Sequence, residues 1–80
     1  DLEGKRGKDY KTLLQEYVQR DGDKHIVYHL LSESGPDHAK TFHMEVEING
    51  VTYEAGSGKS KKIAEQHAAQ LTLEKLVADK

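Results

Sequence analysis

The residues best suited to chemistry lie in the stretch AGSGKSKK, residues 55–62. It combines two glycines with three lysines, Lys59, Lys61 and Lys62, just before a segment with helical spacing. Lysine ammonium groups and the N–H groups at the start of a helix both attract anions. Glycine, which has no Cβ, lets a backbone approach such an anion closely. The stretch therefore predicts a phosphate-binding site.

A nucleotide held by a P-loop is one candidate for that phosphate. The P-loop pattern has a glycine five positions before the glycine of its Gly-Lys-Ser run, and in this chain Tyr53 stands five positions before Gly58. A mononucleotide site also needs a parallel sheet and a metal-binding carboxylate on a second strand. A chain of 80 residues hardly supplies both, so the phosphate is better assigned to a larger polyanion.

The charge distribution restricts where a polyanion can bind. The formal net charge is −2, which by itself argues against duplex binding, because such binding depends on neutralising phosphates. The distribution matters more than the sum. Three lysines fall within residues 59–62, whereas Lys40 is the single Lys or Arg among five acids in residues 33–54. We therefore expect one basic patch on a surface that is otherwise largely acidic.

Composition and spacing argue against several other kinds of site. The chain has no Cys, so disulfides and cysteine-ligated zinc are excluded. His29 and His43 can face each other across a strand pair, but a metal site usually needs a third ligand. The carboxylates are too dispersed for acid–base or two-metal chemistry. We expect no metal, no cofactor and no catalysis in this chain.

The chain is expected to be a soluble, cytoplasmic domain without a membrane partner. It has no apolar run long enough to span a bilayer, and its first residues, DLEGKRGKDY, are too polar for a signal peptide. Residues 1–8 contain two glycines and no apolar spacing, which predicts a linker or flexible tail. Residues 9–80 are expected to form one folded domain.

The first predicted helix has an apolar and a polar side. Its apolar residues recur with helical spacing from Tyr10 onward, and Asp21-Gly22 predicts its end. The apolar side consists of Tyr10, Leu13, Leu14, Tyr17 and Val18. The opposite side carries Thr12, Gln15, Glu16 and Gln19, which offer hydrogen-bond donors and acceptors but little charge.

Three strands are predicted next, in HIVYHLLSES, TFHMEVEI and VTYEA. Asn49-Gly50 is a strong hairpin signal, and Gly35-Pro36 separates the first two strands, so the sheet is expected to be antiparallel. Alternation places Phe42, Met44, Val46 and Ile48 on the buried face of the second strand. In the third strand one side is expected to carry Val51, Tyr53 and Ala55. In the first strand the outer face is expected to carry Val27 and Leu31.

A second helix is predicted from a Ser60 cap to about residue 77, after a loop formed by Gly56, Ser57 and Gly58. Small residues on its inner side allow close packing against the sheet and the first helix. That side consists of Ala64, Ala68, Ala69, Leu73 and Leu76. The expected fold is α+β, in the order α-β-β-β-α, with two helices packed on one face of a three-stranded antiparallel sheet.

Three motifs in order carry a resemblance to a known family. The runs YKTLLQEYVQ, SGPDHAKTF and GSGKSKKIAEQHAAQLTLEKL resemble a double-stranded-RNA-binding domain over residues 9 to about 77. Within that family, DYKTLLQEYVQ and SKKIAEQHAA are most similar to the C-terminal domain of bacterial ribonuclease III. The resemblance implies a non-catalytic domain that positions duplex RNA. It also implies a parent enzyme that is a homodimer and cleaves with magnesium in a separate nuclease domain.

Such domains span about 16 base pairs of A-form RNA and touch two minor grooves and the major-groove phosphates between them. The first contact region is then Thr12, Gln15, Glu16 and Gln19, facing 2′-hydroxyls and base edges. The resemblance carries a minor-groove contact onto the loop around Pro36 and His38. Lys59, Ser60, Lys61 and Lys62, with the neighbouring loop amides, are left for the phosphates.

One departure and one alternative remain open. Many relatives carry a third basic residue where this chain has Glu65, so affinity is expected to be modest. The alternative is a protein-interaction module of the same fold that has lost RNA binding and uses either the face around Val27 and Leu31 or the acidic sheet. The chain keeps both the lysine cluster, which consists of Lys59, Lys61 and Lys62, and the Gly-Pro-Asp-His loop. Their presence favours RNA binding over the interaction module.

Overall fold

The computed structural model describes residues 9–20, 22 and 24–78. Within them the chain forms α1 (Tyr10–Gln19), β1 (Ile26–Ser34), β2 (Thr41–Ile48), β3 (Val51–Gly58) and α2 (Lys61–Ala78), with a short 3-10 helix, Asp37–Ala39, between β1 and β2. The predicted α-β-β-β-α order is confirmed. Residues 1–8 and Asp21, for which a tail and a helix stop were predicted, lie outside the described residues. Neither α1 nor α2, as described, is long and apolar enough to cross a membrane.

The sheet is antiparallel in the order β1-β2-β3. Asn49 and Gly50 turn the chain between β2 and β3 with φ values of 49° and 84°, the left-handed conformation that a tight hairpin requires. The Asn49 side-chain oxygen also accepts a hydrogen bond from the His25 N–H at 2.8 Å. An antiparallel sheet in which Gly58 ends β3 does not offer the parallel strand that a P-loop follows.

The core lies between the sheet and the two helices. Its buried apolar side chains are Leu14 and Val18 from α1, Met44, Val46 and Ile48 from β2, and Ala64, Ala68 and Ala69 from α2. The alternation predicted for β2 is confirmed in the last three of its four apolar positions, while Phe42 is half-buried. Leu73 and Leu76 are partly buried against this core, as the spacing along α2 predicts.

A β-bulge in β3 changes which residues face the core. Glu45 pairs with Ala55 and Glu47 pairs with Thr52, so two residues of β3 stand opposite one residue of β2. Tyr53 packs against the core, but Ala55 falls beside Glu45 and is exposed. The expectation that Ala55 shares a side with Tyr53 is therefore wrong, because one extra residue reverses the alternation.

The bulge leaves a backbone donor that a buried side chain satisfies. The Glu54 N–H donates to Thr72 Oγ1 at 3.3 Å, and Thr72 has no exposed surface. A polar residue can be buried at low cost only when it is hydrogen-bonded. The helical spacing of apolar residues did not indicate Thr72 as a core residue.

Residues 56–58 belong to β3 and do not form a loop. Gly56 pairs with Met44 and Gly58 pairs with Phe42. A Cβ atom at position 56 would overlap the backbone of His67 and Ala68, and one at position 58 would lie 2.8 Å from Ala64 N. The prediction that these residues form a loop is therefore wrong, and the glycines have a structural reason: their missing Cβ atoms let α2 approach β3.

The outer face of the sheet carries scattered apolar groups. Val27, opposite Glu47, is half-buried. Leu31 is 51% exposed and is the extra residue of a second bulge, since Leu30 pairs with Met44 and Ser32 pairs with His43. Leu30 is also 42% exposed, although alternation from the half-buried Tyr28 would turn it inward.

Candidate nucleic-acid interface

The lysine cluster is built on the junction between β3 and α2. Ser60 caps α2: its Oγ accepts from the Ile63 N–H at 3.1 Å and its carbonyl oxygen accepts from the Ala64 N–H at 2.9 Å. Lys61 and Lys62 occupy the first turn, which has no acidic residue, and both are exposed. Cations are unfavourable at this end of a helix dipole. An anion bound there would relieve that conflict.

The backbone around the cluster is less available than the sequence suggests. The Ser57 N–H lies 3.2 Å from His67 Nδ1, which accepts from it in the tautomer that is unprotonated at that nitrogen. Gly56 and Gly58 face α2. The groups that remain available for the predicted phosphate contact are therefore the lysine side chains, the Ser60 hydroxyl and the first N–H groups of α2.

The connection between β1 and β2 is an exposed loop. Gly35 has a φ of +90°, and a Cβ atom there would lie 2.6 Å from the Ala39 carbonyl oxygen. The Pro36 carbonyl oxygen accepts from the Ala39 N–H at 2.9 Å, which closes the 3-10 helix. His38 stands on that helix and is exposed. The course of this loop therefore depends on the positive φ of Gly35 and on the hydrogen bond between Pro36 and Ala39, and not on the proline ring alone.

Lys40 neutralises the acidic groups beside His38. Its Nζ lies 3.1 Å from Glu33 Oε1 and 3.9 Å from Asp37 Oδ1. Without that lysine, two carboxylates would flank a loop that is predicted to approach a polyanion. By sequence, Lys40 is a lone base in an acidic segment. Its position after the Gly-Pro-Asp-His motif was the signal for this role.

The loop and the lysine cluster meet at one end of the sheet. The pairing of Phe42 with Gly58 brings the start of β2 beside the end of β3. An open depression there is lined by Asp37, His38, Ala39, Lys40, Thr41 and Lys59. The structure thus places His38 and Lys59 on a common surface.

The polar side of α1 divides into two kinds of residue. Thr12 Oγ1 donates to Asp9 Oδ2 at 2.8 Å and so belongs to the helix cap. Gln19 Nε2 donates to the Lys24 carbonyl oxygen at 2.9 Å and closes the turn after α1. Gln15 and Glu16 are exposed and make no side-chain hydrogen bond with any other described residue. Of the four predicted contacts on α1, these two are the more available to a ligand.

A basic cleft beside Gln15 was missed by the sequence analysis. It lies between α1 and β1 and is lined by Lys11, Gln15, Gln19, Lys24, His25, Ile26 and Tyr28. Lys24 and His25 were not grouped with the predicted contacts because they precede β1 in a segment without a motif. Lys24 adds positive charge beside the polar side of α1.

The start of α1 is tied to α2 by side chains. Gln66 Oε1 accepts from the Tyr10 N–H at 2.7 Å, and Gln66 Nε2 donates to Asp9 Oδ1 at 2.8 Å. These contacts connect residues that are 56 and 57 positions apart in sequence. Hydrogen bonds from Gln66 and then from Thr12 lower the pKa of Asp9 to about 2. Asp9 is therefore ionised at neutral pH.

Glu65 has a partner in the same region. Lys11 Nζ lies 2.7 Å from Glu65 Oε1 and 4.9 Å from the centre of the Tyr28 ring. Burial, then the negative charges of Glu65 and Asp9, raise the pKa of Tyr28 to about 12, so its hydroxyl is neutral at physiological pH. Glu65, at the position where the resemblance led us to expect a basic residue, thus pairs with α1.

The described residues contain no group of three or more His, Asp or Glu that could hold a metal ion. His29 stands opposite Glu45, and its Nε2 lies 2.7 Å from Glu47 Oε1. His43 stands opposite Ser32. The two histidines therefore do not stand directly opposite each other.

The sequence of this chain is similar to part of several curated ribonucleases. Ribonuclease 3 of Streptococcus mutans serotype c is 57% identical over 68 residues, which are 85% of this chain and 29% of that protein. Ribonuclease 3 of Streptococcus pyogenes serotype M3 is 52% identical over 71 residues, 89% of this chain and 31% of that protein. The chain thus spans about three tenths of the length of these curated relatives.

Solved structures show the same fold. The solution structure of dsRBD2 of DRB4 matches with a TM-score of 0.59 and 37% identity, covering 85% of this chain and 94% of that one. The solution structure of both dsRBDs of DRB4 with their linker matches with a TM-score of 0.66 and 35% identity, covering 95% of this chain and 50% of that one.

A family model described as "Double-stranded RNA binding motif" matches residues 10–76. The match runs from the first residue of α1 nearly to the end of α2, and it includes the cap of α2, the 3-10 loop and both lysines of the first turn. Since the aligned region is the whole α-β-β-β-α unit, the chain belongs to the family of double-stranded-RNA-binding domains.

Proposed function

We propose that this domain binds double-stranded RNA by recognising the shape of the A-form helix. The order of the three candidate regions supports this proposal. The lysine cluster at the start of α2 stands between the His38 loop, which adjoins Lys59, and the start of α1, which contacts Glu65 and Gln66 one turn further along α2. One strongly basic region is flanked by two regions of lower charge.

That order suits A-form RNA. Its major groove is deep and narrow, so a protein reaches only the phosphates along its edges, which lysines neutralise. Its minor groove is wide and shallow and displays 2′-hydroxyls, which pair with neutral or acceptor groups such as Gln15 and Glu16. A carboxylate is repelled by phosphate but accepts a hydrogen bond from a 2′-hydroxyl. Glu16 therefore favours RNA over DNA in this arrangement.

The wider role that we propose is to hold duplex substrate for a ribonuclease III nuclease domain. The ribonuclease 3 relatives, of which this chain covers about three tenths, support that role. Cleavage, magnesium binding and dimer formation would then belong to the nuclease domain. The isolated chain should leave a labelled duplex intact in the presence of Mg²⁺, and specific cleavage by the pure domain would contradict a non-catalytic role.

The decisive experiment compares one 20-base-pair sequence prepared as duplex RNA and as duplex DNA. The dissociation constants of both are measured with the same protein at two salt concentrations. We expect tighter binding to RNA and a steep loss of affinity with salt, because 2′-hydroxyls distinguish the two helices and phosphates supply most of the affinity. Equal affinity for both duplexes would contradict readout of A-form shape. Binding to neither at low salt would favour the interaction module, with the face around Leu31 as its surface.

A further inference from the structure

Gln66 connects the two helices that carry separate parts of the candidate interface. Its amide oxygen lies 2.7 Å from the Tyr10 nitrogen and 3.4 Å from the Lys11 nitrogen, and its amide nitrogen lies 2.8 Å from Asp9 Oδ1. The first N–H groups of a helix have no intrahelical acceptor. A side chain of α2 therefore completes the N-terminal cap of α1.

The same turn of α2 provides a second connection through an ion pair. Lys11 reaches Glu65 at 2.7 Å while its ammonium group lies over the Tyr28 ring. Side chains at 65 and 66 thus hold two successive positions of the first turn of α1. The contacts constrain both the position of α1 along α2 and its rotation about its own axis.

The contacts made by Glu65 and Gln66 lie between two sets of predicted RNA contacts, one on each helix. Lys61 and Lys62 precede Gln66 by about one turn on α2, while Gln15 and Glu16 follow Tyr10 on α1 by between one and two turns. A minor groove and the adjacent major-groove phosphates have a fixed spacing in A-form RNA. The two sets can bind together only if the helices keep a matching spacing.

We propose that Gln66, assisted by the Glu65–Lys11 pair, is a positioning residue that sets the spacing between the 2′-hydroxyl contacts of α1 and the phosphate contacts of α2. This inference rests on the proposed function. Gln66 itself is half-buried and directs its amide at α1. Its effect on RNA is exerted through Gln15 and Glu16.

A purely structural role for Gln66 predicts a different result. Loss of stability alone would lower the affinity for RNA and DNA by the same factor, because both depend on the folded fraction. Loss of positioning would weaken the α1 contacts selectively. The ratio of the two dissociation constants would then fall, while the salt dependence set by the lysines would persist.

The test uses Gln66→Met, which keeps the length of the side chain and removes its hydrogen bonds. Leu73→Ala is the matched control, because Leu73 packs against the core on the same helix, about two turns away. Binding to 20-base-pair RNA and DNA is measured at a temperature where thermal unfolding curves show both variants folded. We expect Gln66→Met to reduce the preference for RNA about fivefold or more, as for the loss of one or two hydrogen bonds, with an unchanged salt slope. Leu73→Ala should keep the preference.

A pair of substitutions tests the chemistry of the contact. Gln66→Glu alone places a carboxylate beside the Asp9 carboxylate and should reduce the preference for RNA. Adding Asp9→Asn reverses the roles in this contact, because the side-chain amide at position 9 can now donate to the carboxylate at position 66. The double variant should recover most of the preference for RNA. Glu65→Gln removes only the ion pair and should have a smaller effect in the same direction.

Three outcomes would overturn the proposal. The preference for RNA survives in Gln66→Met, or it falls equally in Leu73→Ala, or Asp9→Asn fails to rescue Gln66→Glu although the double variant is folded. Failure of the proposed function has a separate sign, because the unchanged domain would then bind RNA no more tightly than DNA.

Discussion

Gly56 in β3 and Ala68 in α2 pack backbone against backbone, so that a Cβ atom at position 56 would overlap the Ala68 nitrogen. Both residues are buried. The obstructing atoms belong to the main chain of α2 and cannot turn aside as a flexible side chain does. The glycine thus determines how closely the helix that carries the lysine cluster approaches the sheet.

Gly56→Ala is therefore expected to lower the free energy of unfolding by about 2 kcal/mol or more, since overpacking of a tight site typically costs about 1–3 kcal/mol. Urea denaturation measures the change. Ala55→Ser is the control, because Ala55 directly precedes Gly56 and is exposed on the outer face. Its free energy of unfolding should lie within about 0.5 kcal/mol of that of the unchanged domain. A Gly56→Ala variant of undiminished stability but weak RNA binding would instead support approach of the glycine to a phosphate.

Combined substitution of Lys61 and Lys62 by alanine is expected to weaken duplex binding without unfolding the domain. Both side chains are exposed at the start of α2, so the core is unaffected. Each lost phosphate contact reduces the salt slope of log K by about 0.7–0.9, and two contacts by about 1.5–2. Affinities measured at four or five salt concentrations provide the slope.

Lys75→Ala is the control for this experiment, because Lys75 lies on the same helix near its other end. Its salt slope should match that of the unchanged domain. If the double variant keeps the full slope, the phosphates are bound by another face of the molecule.

Thr72→Val is expected to destabilise the domain although the two side chains have nearly the same shape. Thr72 Oγ1 accepts the Glu54 N–H that the bulge in β3 leaves without a strand partner. Valine would leave that donor unsatisfied at a cost of about 1–2 kcal/mol. Thr52→Val is the control, because Thr52 occupies an exposed position of β3. This substitution should leave the free energy of unfolding nearly unchanged. Equal stability of Thr72→Val and the unchanged domain would show that water satisfies the Glu54 N–H.

Acid is expected to weaken the contact between α1 and α2. The pKa of Asp9 is about 2 in the folded chain against an ordinary 3.8, so the unfolded chain takes up the proton first as the pH falls. The stabilisation by Asp9 is then complete above about pH 4 and is lost progressively down to about pH 2. Asp9→Asn removes this titration.

Urea denaturation at several values between about pH 4 and pH 2 measures the effect. The free energy of unfolding should fall less steeply with pH in Asp9→Asn than in the unchanged domain. Parallel curves would mean that Asp9 has the same pKa in the folded and the unfolded chain.

Much of the fold was predictable because its signals are local. Alternating apolar residues in residues 41–48, the Asn49-Gly50 turn and the Ser60 cap each depend on neighbours a few positions away. The structure confirms β2 over Thr41–Ile48 and the Ser60 cap. The strand order of the sheet follows from short connections.

The candidate site was predictable only in part. Residue type and resemblance indicated His38, Lys59, Lys61 and Lys62, and the structure brings His38 and Lys59 to one surface; their contact with RNA stays a prediction. Lys40, Lys24 and His25 were missed, because a role beside a binding surface depends on which acids and helices lie nearby. Such neighbours are not encoded by spacing within one segment.

The sequence by itself determined the order of the elements, the face of each helix that is buried and the position of the basic cluster. Only the tertiary structure decided what Gly56 approaches, which buried acceptor satisfies the bulge, and how α1 is capped by Gln66. The reason is physical: these last features are contacts between segments up to 57 residues apart. Periodicity reports the environment of a residue, whereas a contact of this kind depends on the packing of α2 against both β3 and α1.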